Sequence, residues 1–316
     1  MPDEPKRKKR RWVTFLVIFG AIVALYMTVV TAVILLLPKK ESVKSGTVLE
    51  ITLNGTISEG PSSSFLSELT GTESLSVWGI RQSLRAAASD PNIVGLKVLI
   101  QTPDIGWGAA EEILHEMDRF RESKKPVYVL CQSDTIGDME YFLATGGDRI
   151  WISPETGVLI NGLAAEYTFW RRTLDKLKIE PEVIMMKEYK SAGEPYLNRE
   201  MSPYMREATT ALLNNIDACF KERVKKARGI DPGTCEDLLN RGMTTTSELC
   251  SMGFVDGQGY PDDVEKAFEE LPNLEEYKGV NLTRYIRSFK TKGAKTDKVI
   301  AVVFGEGAIL SQKVEG

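Results

Sequence analysis

The stretch Ile93-Val94-Gly95-Leu96-Lys97-Val98-Leu99-Ile100-Gln101 decides the fold. It is apolar at nearly every position instead of at every second one, the pattern of a strand covered on both faces of a parallel sheet. Just upstream, Val77 to Ser89 reads as a helix that closes at Asp90-Pro91, because a proline disfavours helical backbone in the residue before it. Downstream, Ala109 to Ser123 reads as an amphipathic helix with Ile113, Met117 and Phe120 on one stripe. Strand Pro126 to Cys131, helix Gly137 to Ala144 and strand Arg149 to Ile152 follow. At the other side, Val48 to Leu53 is a short β-prone run ended by Asn54-Gly55 and resumed at Thr56-Ile57. Ser58 to Ser76, rich in Ser and Thr, reads as an exposed loop. Strands alternating with helices predict βαβ crossovers and a layered α/β domain.

Further along, Glu166 to Lys178 reads as a helix and Glu182 to Met186 as a strand. Ser202-Pro203 reads as the cap and first turn of a long helix to about Arg228, and Asp231 to Asp256 as shorter helices and turns. A new apolar strand begins at Val299 to Phe304. Laid over the first strand, Ile300 to Ile309 matches Val48 to Ile57, with Gly307-Ala308-Ile309 against Gly55-Thr56-Ile57. A lone strand needs neighbours. Residues 48–298 are therefore expected to form one domain, and 299–316 the first strand of a truncated second repeat.

The amino terminus sets the compartment. Residues 1–11 end in an uninterrupted basic run, Lys6 to Arg11, and residues 12–37 hold no charge at all. That span exceeds the roughly 20 residues a helix needs to cross a bilayer, and is too long for a cleaved signal peptide. The expectation is a cytoplasmic basic tail (1–11), a transmembrane anchor (12–37) and a linker (38–47), with everything beyond outside the cytoplasmic membrane.

Composition excludes several functions. The net charge is only −4 and no basic patch follows the terminus, so no nucleic-acid partner is expected. Cys131, Cys219, Cys235 and Cys250 show no C-x-x-C spacing, so neither a metal nor a redox site is expected; Cys235 with Cys250 is a conceivable pair in an oxidising compartment, buried free thiols the plainer reading. His115 is the single histidine and lies off the apolar stripe of its helix. A Ser-His-Asp triad or a histidine-rich metal site is thus a poor fit, and no cofactor is called for.

One loop remains: Lys187-Glu188-Tyr189-Lys190-Ser191-Ala192-Gly193-Glu194-Pro195-Tyr196, between a predicted strand and helix, where α/β folds keep their chemistry. A lysine acts as a base only if burial or a nearby cation lowers its pKa. Ser191, Ala192 and Gly193 are small enough for backbone to close over an amine, and Glu194 could support the loop. On spacing alone, a solvated surface lysine is the ordinary reading of Lys190.

The string Tyr189-Lys190-Ser191-Ala192, then Glu194-Pro195, then Met201-Ser202-Pro203, resembles the lysine loop in the N-terminal half of the signal peptide peptidase A family, also called protease IV. Asp90 to Leu96, Lys125 to Tyr128, Ile150 to Pro154 and Leu174 to Lys178 resemble the same half. The tail from Ala301 resembles the start of the C-terminal half. The resemblance implies a crotonase-like fold, a ring of protomers, and a Ser-Lys dyad with Lys190 as general base. It also implies apolar substrates, remnant signal peptides, met at the outer (periplasmic) side of the inner membrane. The nucleophilic serine belongs to the C-terminal half. Its counterpart here, Pro103-Asp104-Ile105-Gly106-Trp107-Gly108, has none, and Ser191 and Ser133 read as loop and turn residues. The chain is therefore expected to hold the base, to lack the nucleophile and to be inactive alone. Two alternatives stand beside this: an acyl-CoA hydratase or isomerase of the same fold, and a non-catalytic scaffold or regulator of a membrane protease.

Overall fold

In the computed structural model the decisive stretch is strand β2 (Ile93–Asp104), flanked by β1 (Thr47–Thr56) and β3 (Val127–Cys131). With β5 (Arg149–Ile152), β7 (Gly257–Gln258) and β8 (Gly279–Asn281) they form a six-stranded sheet in the order β7-β5-β3-β2-β1-β8, every neighbouring pair parallel. β4 (Thr135–Ile136) and β6 (Gly157–Val158) make a separate two-stranded parallel ladder. The structure describes residues 15, 17–28, 31, 43–60, 75–272, 274, 276–289 and 302–305. The chain divides into two compact units, 1–42 and 43–316.

The sheet is covered on both faces, and alternation along each strand sorts the side chains. Leu49, Ile51 and Leu53 join Leu96, Val98 and Ile100, with Val127 and Val129, in one core. Helices α1 (Val77–Ser89), α2 (Trp107–Glu122) and α3 (Asp138–Ala144) close that core. Val48, Tyr128, Leu130 and Trp151 point the other way, onto Val264, Ala267 and Phe268 of a later helix, Pro261–Glu269. Lys97 is the exception in the apolar run. It lies on this second face, buried, with its ammonium 2.6 Å from Glu265 and 5.0 Å from the Tyr277 ring. Glu50 accepts from both Lys97 and the Tyr277 hydroxyl, and the approach depends on Gly279, where a Cβ would stand 2.5 Å from the Glu50 carboxyl carbon.

Between α1 and α2 the buried carboxylate of Glu116 accepts from Arg85 Nε and Nη2 and lies 3.6 Å from Arg81. Burial pushes this carboxyl up, but the Arg85 hydrogen bonds and the charges of Arg85, Arg119 and Arg81 outweigh it and hold the group below the usual carboxylate range.

In the first unit, residues 17–28 are helical and exposed. No described helix is long and apolar enough to cross a membrane. Of the expected 12–37 span only 15, 17–28 and 31 are described, and tail 1–11 and half of linker 38–47 lie outside the described residues. In the second unit, most of the 58–76 loop also lies outside them. Of the expected strand at 299–316 only 302–305 are described. They join neither sheet, and Phe304 sets its ring edge-on to Trp78 at 5.5 Å.

Candidate active site

The Lys190 loop sits on an arm that leaves the α/β core after Ile160, the last fully buried side chain of that stretch. Gly162 turns the chain with a φ of +83°, a conformation that glycine adopts without strain. At this exit the carboxylate of Asp138 accepts from the backbone N–H of Gly162 at 3.0 Å and of Asn161 at 3.4 Å. Burial pushes the Asp138 carboxyl up, and these backbone hydrogen bonds only partly oppose it.

Two predicted elements of the arm are shorter or absent. The helix expected over 166–178 runs only from Arg171 to Leu177 (α4) and buries none of its residues. At its amino end the Trp170 N–H donates to the Pro195 carbonyl at 2.7 Å, and Lys178, at φ 57°, ends it in the left-handed region. The strand expected over 182–186 does not form. The period-two pattern is present, with Val183 and Met185 packed beneath Gly193, but no neighbouring strand offers a ladder. Ile184 and Met186 are left 93% and 81% exposed. Gly193 thus makes room for Val183, whose Cγ1 would be 2.5 Å from any Cβ there.

Lys190 itself is exposed, at the end of a turn whose Lys187 has a φ of 68°. It makes no ion pair among the described residues. Its neighbours are firmly held. The Tyr189 hydroxyl donates to Glu207 at 3.1 Å, and its ring meets that of Tyr204 edge-on at 5.5 Å. Ser191 opens a single 3-10 turn, Ser191–Gly193, followed by α5, Glu194–Leu197. Glu194, only 4% exposed, accepts from the Ser202 hydroxyl at 2.7 Å and the Ser202 N–H at 3.1 Å. Ser202 in turn accepts from Met205 N–H and so caps α6 (Pro203–Arg228). The glutamate expected to support the loop does so, by tying it to the amino end of the long helix.

Other candidates lie outside this cluster. Ser133 donates to the Thr135 carbonyl within a turn, and His115 is exposed on α2. All four cysteines are free thiols, Cys219 exposed instead of buried. Burial pushes Cys131 up to about 12 and Cys235 up to about 11, so neither is a nucleophile. Among the described residues no group of His, Cys, Asp or Glu is placed to hold a metal. At Pro103 to Gly108, β2 runs on to Asp104 and α2 begins at Trp107 behind Gly106, a cap without a side chain. Asp138 is the residue that sequence reasoning missed; the available signal was an acidic side chain at the first helical position of Gly137-Asp138-Met139-Glu140.

Comparison with known proteins follows the same lines. The chain is 28% identical over 245 residues to the chloroplastic serine protease SPPA of Arabidopsis thaliana, covering 78% of this chain and 35% of that protein. It is 29% identical over 248 residues to Protease 4 of Salmonella typhi, covering 74% and 39%. The chain thus spans little more than a third of the length of these relatives. Among solved structures, the 1510-N membrane-bound stomatin-specific protease in complex with a substrate peptide aligns over 78% of this chain and all of its own, at 14% identity and a TM-score of 0.45. With residues 119–275 matching Peptidase family S49 and both relatives aligned along about three quarters of its length, the chain is similar to the signal peptide peptidase A family.

Proposed function

We propose that this chain is the base-bearing half of a membrane-anchored serine peptidase of crotonase-like fold, working through a Ser-Lys dyad. Lys190 Nζ takes the proton from a serine Oγ supplied from outside residues 1–316 as that oxygen attacks the scissile carbonyl. It then returns the proton to the leaving amine. Backbone amides beside that serine hold the oxyanion, and no metal or cofactor enters the scheme. The substrates are apolar peptides, remnants of signal peptides, reached from the bilayer in which residues 12–37 are anchored. The tail 1–11 stays in the cytoplasm, the peptidase domain stands at the periplasmic side, and protomers assemble into a ring.

The observation that carries this reading is the state of the arm. Lys190 stands exposed just before the segment that Glu194 ties to Ser202, and a few residues after Ile184 and Met186, apolar side chains that are themselves uncovered. A lysine becomes a base when its ammonium is desolvated. Covering this arm with the serine-bearing half, or with a neighbouring protomer, would desolvate Lys190 and bury the apolar side chains together.

The test is labelling of the natively expressed protein by a serine-reactive probe, read by mass spectrometry, in wild type and Lys190→Ala. The expected result is a label on a serine beyond Gly316 whose rate falls by about 10²- to 10⁴-fold in the variant, with Lys187→Ala labelled as wild type. A native protein that never labels would instead assign the chain to a non-catalytic scaffold or regulator.

A further inference from the structure

The amino ends of the strands carry a second feature, away from the carboxyl ends where a parallel sheet keeps its chemistry. Where β3 and β5 begin, a cavity of about 490 Å³ opens, with Pro126, Tyr128 and Leu271 as apolar wall and Lys124, Lys125, Arg121 and Arg149 as cations. Its single carboxylate, Asp148, is already paired: one oxygen accepts from Arg121 Nε at 2.7 Å, the other from the Val127 N–H at 2.8 Å. Arg121 is thereby committed as well.

Lys125 donates to the carbonyls of Ala87 and Asp90, both at 2.7 Å, and so neutralises the carboxyl end of α1 that reaches this side. One of its three protons is left without a protein acceptor among the described residues. Lys124 and Arg149 make no ion pair among the described residues. Both are exposed. Lys124 is set by a left-handed backbone, φ 64°, just past α2. Arg149 lies over the Trp151 ring at 4.6 Å and near the Tyr128 ring at 5.9 Å, which fixes the plane of its guanidinium while its N–H fork stays available.

A planar fork, a point charge and an apolar wall, in a space of ligand size, match one ligand chemistry. Guanidinium and ammonium together suit a phosphate, and the wall suits the group esterified to it. We propose that this cavity binds the phosphate group of a phosphate ester, either a soluble one or the headgroup of an anionic phospholipid. The inference stands independently of the peptidase reading, because it uses no residue of the Lys190 arm.

The experiment is lysine footprinting by acetylation and mass spectrometry on the full chain, comparing Lys124 with Lys266, an exposed lysine elsewhere on the surface. In detergent, inorganic phosphate should protect Lys124 and not Lys266 when chloride at matched ionic strength protects neither. Arg149→Gln should raise the half-protecting phosphate concentration about tenfold. In nanodiscs, protection on replacing phosphatidylcholine with phosphatidylglycerol, without added phosphate, identifies the headgroup as the source. Protection that still requires added phosphate identifies a soluble ester. Lys124 acetylated no differently from Lys266 in every arm overturns the proposal. So does protection that Arg149→Gln leaves unchanged, since both substituted and probed residues are exposed and the fold does not depend on them.

Discussion

The sheet and the Lys190 arm are built on opposite terms. In the sheet, alternate side chains of β1, β2 and β3 enter two cores, and each strand is held on both edges and both faces. In the arm, α4 buries nothing, and the order comes from a few polar ties: Asp138 at the exit, Trp170 to Pro195, Glu194 to Ser202. The sheet is self-sufficient. The arm is placed with care but left uncovered, the state from which the proposed covering of Lys190 would start.

The contrast can be broken at its strongest point first. Leu96→Ala, at a fully buried position of β2, should cost about 2–5 kcal/mol in global unfolding by denaturant. A cost below about 1 kcal/mol would mean the sheet is not the stability core. Glu194→Ala leaves the Ser202 hydroxyl and N–H without their acceptor. It should loosen the arm by about 1–3 kcal/mol in hydrogen-exchange protection of residues 190–205 while leaving the denaturant midpoint of the sheet in place. If the two move together, arm and sheet form one cooperative unit.

Acid should separate them again. Glu116 is held below the usual carboxylate range by its arginines, so its contribution is fully present above the unfolded-state pKa and is lost as pH falls through the folded one. Asp118 behaves alike: burial pushes it up, but the hydrogen bond and charge of Arg223, joined by Lys226, hold it low. The unfolding midpoint should therefore drop as pH descends through and below the ordinary carboxylate range, and Glu116→Gln should flatten that slope. The smallest effect belongs to Ile184→Ser, expected to change stability by less than about 0.5 kcal/mol despite removing a large apolar side chain. A larger loss would show that Ile184 is already covered.

What was legible in the sequence follows the same division. α1 runs from Val77 to Ser89 as expected and closes at the Asp90-Pro91 signal, and β2 extends its apolar run by only three residues, to Asp104. Those readings succeed because local pattern and tertiary burial agree. Val183 to Met186 carries a strand pattern that no neighbour completes, and Glu166 to Trp170 a helix pattern that is not realised, the Trp170 N–H pairing with Pro195 instead. Glu194 was legible because it lies four residues from the lysine it serves. Asp138 was not, since its partners Asn161 and Gly162 are more than twenty residues away. Lys124 and Arg149 were equally hidden: only the parallel pairing of β3 with β5 brings them to one cavity.

The 26-residue helix α6 has a mechanical consequence. Its far end is clamped where Phe220 and Val224 are buried and Arg223 grips both Asp118 and the Thr145 carbonyl. Its near end, through Ser202 and Glu194, carries the Lys190 turn. At 1.5 Å per residue the helix is a rod roughly 39 Å long, fixed at one end and loaded at the other. A rod held at its root turns a small rotation there into a larger displacement at its tip, so loosening the Arg223 joint is expected to shift the Lys190 turn more than it shifts Thr145.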